Sequence, residues 1–148
     1  MEKLDADSQG APNGVMPRMA ALVIRSESTS VDEMSRMLGC NPDYSQAKGT
    51  IRQGSTVNKP ASFHIWEMRA YGDQTASLQE VIERLLAKTA PLRLALMALS
   101  SASCSVHFEI VNWISPSDRH GPGFSLPTEA IVFLADIGAD LDVDQYLE

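Results

Sequence analysis

The stretch Cys104-Ser-Val-His-Phe-Glu-Ile-Val-Asn-Trp-Ile114 alternates in character along its length. Successive side chains of a strand point to opposite faces of a sheet. Val106, Phe108 and Ile110 therefore point one way, and His107, Glu109, Val111 and Trp113 the other. A strand with one apolar side and one mixed side belongs to a sheet covered by helices on one face only.

Working outward, helices bracket this strand. Ser77-Leu-Gln-Glu80 is a capping box, in which the serine hydroxyl accepts from the glutamate amide and the glutamate reaches back. Leu78, Val81, Ile82, Leu85 and Leu86 then recur at helical spacing. Pro91 interrupts the pattern, since it lacks an amide proton, and a second helix carries Leu92, Ala95, Leu96 and Leu99. On the other side, a helix over about Leu126 to Asp136 stops at Gly138, and Leu141, Val143 and Leu147 alternate with Asp142, Asp144 and Tyr146 as a last strand.

Nearer the start, Ala20-Ala-Leu-Val-Ile-Arg25 reads as a central strand. Ser30-Val-Asp-Glu33 is another capping box, and Gly39 and Pro42 end its helix. A weak edge strand is expected around Thr50-Ile51-Arg52, and a firmer one over Ser62 to Tyr71. The order β-α-(β)-β-α-α-β-α-β predicts an α+β fold, a ferredoxin-like β-α-β-β-α-β sheet with an appended C-terminal helix and strand. Residues 1–18 read as a disordered or loosely attached tail and 19–148 as a single α+β domain.

Composition narrows the function classes. The chain has 148 residues, of which 44% are hydrophobic and 21% charged, a size and balance that support a core without a metal or disulfide. Net charge is −7 with only 12 basic residues. Duplex nucleic acid and anionic membranes are bound by clustered Lys and Arg, so neither is expected as a partner. No apolar run is long enough to span a bilayer. The polar start lacks the features of a secretory signal, which makes the cytoplasm the expected location. Cys40 and Cys104 form no CxxC and read as reduced thiols.

The sequence resembles an uncharacterised bacterial family, domain of unknown function 4279. The residues that carry the likeness are the first strand with Ser30-Val-Asp-Glu-Met-Ser-Arg-Met-Leu-Gly39, Pro42, Lys48-Gly49 and the strand holding Trp66. The close adds Phe124-Ser-Leu-Pro-Thr-Glu-Ala130, Leu134-Ala-Asp-Ile-Gly-Ala139, Leu141-Asp-Val-Asp144 and Tyr146. The likeness covers roughly residues 20–147 and implies no catalytic residues.

Candidate chemistry centres on the face away from the helices. With Phe63 and Ile65 taken as core, His64, Trp66 and Met68 are expected to share that face with His107, Glu109, Trp113, Asp142, Asp144 and Tyr146. One reading is a half-covered sheet face with solvated polar residues. A second is a binding face, because Trp and Tyr give much contact area at low ordering cost. A third is a metal site of His64, His107, Glu109, Asp142 and Asp144. A nucleic-acid stacking platform ranks low, since the carboxylates repel phosphates.

Elsewhere the bland readings prevail. Lys48, Arg52, Lys59 and Arg25 read as solvated residues before an anion pocket, and Lys48-Gly49 lacks the surrounding phosphate-loop pattern. Ser117, Asp118 and His120 share one loop and do not make a triad. Met34, Met37, Met68 and Met97 read as core filler.

The expected function is a non-enzymatic binding or protein-interaction module, such as an immunity or accessory protein, without a cofactor. Its partner would be a protein, with a basic surface favoured by the net charge, or a second identical subunit. The alternative is a small-molecule or metal-binding hydrolase-like domain using His64, His107, Glu109 and Asp142.

Overall fold

Strand β1 (Arg18–Ser26) is apolar from Met19 to Ile24 and buried on both sides throughout that run. A strand without a polar face needs neighbours on both edges and cover on both faces, which makes it a central strand. In the computed structural model, which describes residues 18–72, 76–114, 116–117 and 123–147, β1 is the middle strand of a five-stranded sheet.

The chain continues through α1 (Val31–Leu38), β2 (Tyr44–Gln46), β3 (His64–Gly72) and α2 (Leu78–Thr89). A single 3-10 turn (Ala90–Leu92) follows, then α3 (Arg93–Ser101), β4 (Ser105–Ile114), α4 (Thr128–Asp136) and β5 (Ala139–Leu147). The strand order is β2-β3-β1-β4-β5. β1 is antiparallel to both β3 and β4, and β2 is antiparallel to β3. β5 runs parallel to β4, the pairing that a helical crossover such as α4 permits. The fold is mixed α+β, with Ala20, Leu22, Ile24, Phe108 and Ile110 meeting Met34, Val81, Ile82, Leu85 and Leu96 in the core.

Local signals position the helices. Ser30 Oγ accepts from Glu33 N at the start of α1, but the Glu33 carboxylate pairs with Arg36 instead of reaching back. At α2 both halves of the Ser77–Glu80 capping box form. Gly39 closes α1 at φ 70°, a left-handed conformation that glycine adopts without a side-chain penalty. Pro91 sits in the 3-10 turn that separates α2 from α3.

Some expectations are corrected. The edge strand β2 is Tyr44–Gln46, and residues 50–52 lie in the loop that follows. Tyr44 and Gln46 gain partners in Glu67 and Ile65, while Thr50 is held by a carbonyl that accepts from Ala61 N at 2.8 Å. Arg18, counted with the tail, opens β1 and donates to the Ala76 carbonyl at 2.7 Å. The rest of the expected tail lies outside the described residues. Both cysteines are free thiols, and burial raises the pKa of Cys40. No described helix is long and apolar enough to cross a membrane.

Candidate functional site

The register places cross-strand neighbours on the face away from the helices. One row runs Tyr44, Glu67, Val23, His107, Asp140, and the next runs Arg69, Ala21, Glu109, Asp142. Tyr71, Met19, Val111 and Asp144 form a third row, and Trp113 stands opposite Tyr146. His107, Glu109, Trp113, Asp142, Asp144 and Tyr146 thus share one face, as the alternation of β4 and β5 predicts.

Trp66 does not join them. It is fully buried in the helix-packed core, where its indole N–H donates to Ser35 Oγ at 3.0 Å. Met68 is buried in the same core, and His64 shares their parity. The expected assignment of His64, Trp66 and Met68 to the outer face is therefore corrected. The strand's charged pair, Glu67 and Arg69, takes that face, and the large apolar side chains take the core. His64 Nδ1 accepts from Lys48 N at 3.1 Å. His64 and His107 do not meet, and no described group of three or more His, Cys, Asp or Glu is placed to hold a metal. The Asp118 and His120 of the loop considered with Ser117 lie outside the described residues.

The centre of the outer face is closed to solvent. Ala21 and Val23 are fully buried, Glu67 is 0% exposed and Glu109 only 4%. Carboxylates in such positions must find partners or hold their protons. Glu67 Oε2 accepts from Arg69 Nε at 2.7 Å, and Arg69 also donates to the Tyr71 hydroxyl at 3.1 Å. The Arg69 guanidinium lies 4.6 Å from the centre of the Tyr44 ring, and Arg52 lies 5.5 Å from it. Burial still raises the Glu67 pKa, against the pull of Arg69, Arg25 and Arg52.

Glu109 is less well served. Its nearest cation is Arg25, with a 3.6 Å separation between nitrogen and oxygen. Burial pushes its pKa up to about 7; Arg25 opposes this, and Glu67, Asp142 and Asp144 add to it. Oε2 of Glu109 and Oε1 of Glu67 are buried without a hydrogen-bond partner, as is Oδ1 of Asn112 on the helix side. His107 Nδ1 lies 3.6 Å from Asp140 Oδ2, and Nε2 lies 3.2 Å from Ser105 Oγ. Burial and then Arg25 lower the His107 pKa, against Asp140 and Asp142. Next along β4 and β5, the Trp113 and Tyr146 rings stack with centroids 4.5 Å apart and planes inclined by 22°.

Sequence reasoning missed Arg25, Glu67, Arg69, Tyr44 and Asp140 as members of this face. The available signal was the i, i+2 spacing of Glu67 and Arg69 within an otherwise apolar strand. The four basic residues considered for an anion pocket do not converge on one. Arg25 faces Glu109, Lys48 Nζ donates to the Glu27 carbonyl at 3.4 Å, Arg52 lies over Tyr44, and Lys59 is exposed. A cavity of 320 Å³ after β2 is lined by Tyr44, Gln46, Thr50, Ile51 and Arg52, among others.

These features define a mixed α+β domain with a helix-covered sheet face and an opposite face carrying two buried carboxylates. The chain belongs to the DUF4279 family, described as a domain of unknown function, whose model matches residues 16–148. No curated protein and no solved structure matches it.

Proposed function

We propose that this protein is a non-enzymatic binding module of the cytoplasm that recognises a basic protein through the β4–β5 side of its outer sheet face. The observation that carries the reading is Glu109, a buried carboxylate with one unpartnered oxygen beside Asp142. An arriving ammonium or guanidinium supplies the missing partner, and charge-assisted hydrogen bonds of this kind are the strong ones. Asp140, Asp142 and Asp144 extend the negative rim, and the Trp113–Tyr146 stack ends it with aromatic surface. The net charge of −7 steers a basic partner towards the protein. The scaffold is a ferredoxin-like β-α-β-β-α-β unit with α4 and β5 appended, a classification supported by the order β2-β3-β1-β4 and its antiparallel pairings.

Calorimetric titration with a short lysine-rich peptide at low salt tests the proposal. Binding that weakens about tenfold in Glu109→Gln and Asp142→Asn, and is unchanged in the control Glu83→Gln on α2, is the expected result. No heat of binding in the wild-type protein, or equal binding by every variant, overturns it.

One observation favours a second reading, a small-molecule binding or hydrolase-like domain. Glu109 and His107 lie two residues apart on one strand face, with protonation displaced in opposite senses from their ordinary values. Ester or phosphoester hydrolysis that disappears in both Glu109→Gln and His107→Gln would establish it in place of the first.

A further inference from the structure

We propose that β5 is the docking edge for one extended strand of a protein partner in which lysine or arginine alternates with apolar residues. The inference rests on the basic-partner reading above and specifies how that partner is held.

β5 is the last strand in the sheet order, paired on its inner side with β4. Among the described residues no strand pairs with its outer side, so alternate N–H and C=O groups point outward along nine residues. Long edges are usually blunted by proline, lysine or a bulge. β5 has no proline or lysine, and its register with β4 is continuous from Ala139 to Leu147. Its only charged residues are Asp140, Asp142 and Asp144, all on one face. That device is selective, because it repels acidic strands and attracts basic ones.

The two faces of β5 dictate the pattern of its partner. On the helix side, Leu141 and Val143 are substantially exposed and Leu147 is 81% exposed. Ile131 and Val132 of α4 are exposed as well. An added strand would lay apolar side chains beside Leu141 and Val143 and basic ones beside the aspartates. This is strand addition, in which backbone hydrogen bonds give affinity and alternate side chains give specificity.

A second, independent observation points to the same ligand. Glu109 stands directly across from Asp142, projects from the same face, and keeps a buried Oε2 without a partner. A residue of the added strand opposite Asp142 lies about 10 Å from Glu109 across the sheet, a distance that two long side chains cover. A second copy of this chain is the wrong occupant. Antiparallel pairing of two β5 strands sets one aspartate row against the other, and like charges directly opposite are destabilising.

The test uses the isotopically labelled full chain and acetylated nine-residue peptides of lysine and valine at low salt. One peptide alternates the two residues, and one has them in two blocks. Two more alternate but are N-methylated on one or the other set of alternate amides, which removes edge hydrogen bonds and keeps charge. The alternating peptide is expected to bind about tenfold tighter than the block peptide. One N-methylated form is expected to lose that advantage, and alternate β5 amides to gain protection from hydrogen exchange. The substitutions Asp140→Lys, at an exposed position, and Asp142→Lys, at a partly exposed one, are each expected to weaken binding about tenfold. Equal binding by all four peptides overturns strand addition and leaves the basic-partner reading standing. No binding by any peptide overturns both. Protection of β5 that accompanies dimerisation without peptide overturns the proposal in favour of a second copy.

Discussion

Glu67 and Glu109 face the same way from strands on either side of β1, and both are buried. Their surroundings are opposite. Glu67 is gripped by Arg69 at 2.7 Å, with Arg25 and Arg52 adding to the positive field. Among the described residues Glu109 pairs with Arg25, at 3.6 Å, and feels Asp142 and Asp144. The same residue type thus sits in two electrostatic settings. On the β3 side a close ion pair ties the sheet together, although Oε1 of Glu67 keeps no hydrogen-bond partner, and on the β4 side the cation stands farther off and Oε2 of Glu109 is unpartnered too. Removing one partner of a buried pair is costly, whereas filling an unmet valence is favourable.

The largest effect comes from breaking the closely paired half. Arg69→Met takes from buried Glu67 the cation that hydrogen-bonds it, and the expected loss is about 3–5 kcal/mol in urea unfolding at pH 7. Adding Glu67→Leu should recover most of that loss; no recovery would mean that Arg69 acts through packing on Tyr44 instead.

Next in size is the pH response of the loosely paired half. The folded pKa of Glu109 is about 7, against an ordinary value of 4.5. Between those values the folded state keeps a proton that the unfolded chain has released. The contribution of Glu109 to stability therefore falls as pH rises through this window, and above pH 7 its penalty is complete, at most about 3 kcal/mol. Glu109→Gln should gain on the wild type between pH 4.5 and 8 in paired unfolding curves. A constant difference would refute the assignment.

Arg25→Gln sharpens the comparison further. Loss of its positive charge should move the midpoints of both Glu109 and His107 upward, as followed by NMR titration. Movement of only one would show that Arg25 does not bridge the two. The smallest effect is that of Asp142→Asn, which should lower the Glu109 midpoint by a few tenths of a pH unit because its partly exposed charge is screened.

How legible these halves were in sequence follows from their burial. β4 and β5 could be read by alternation, because Val106, Phe108 and Ile110 contrast plainly with His107 and Glu109, and Leu141 and Val143 with Asp142 and Asp144. β3 misled, because bulk sits on both of its sides. Phe63 and Ile65 suggested one parity, while Trp66, Met68 and Ala70 form the buried one. The charged residues Glu67 and Arg69 marked the outer face more reliably than the aromatics did. β2 carried no periodic signal in three residues, and only pairing with β3 defines it. Arg25 lies next to the end of its strand, and nothing local tied it to a glutamate on another strand. The parallel direction of β5 rests on the crossover through α4, which alternation alone does not encode.

The position of β1 carries a kinetic consequence. It lies in the middle of the sheet, with Leu22 held between Met68 and Phe108, partners drawn from widely separated parts of the chain. No hairpin can start this sheet from β1, so large loops must close before its backbone bonds are made. Such topologies fold slowly for their stability. Refolding should be rate-limited by the docking of β3 and β4 onto β1, leaving the helices to form early as loosely held, capped segments.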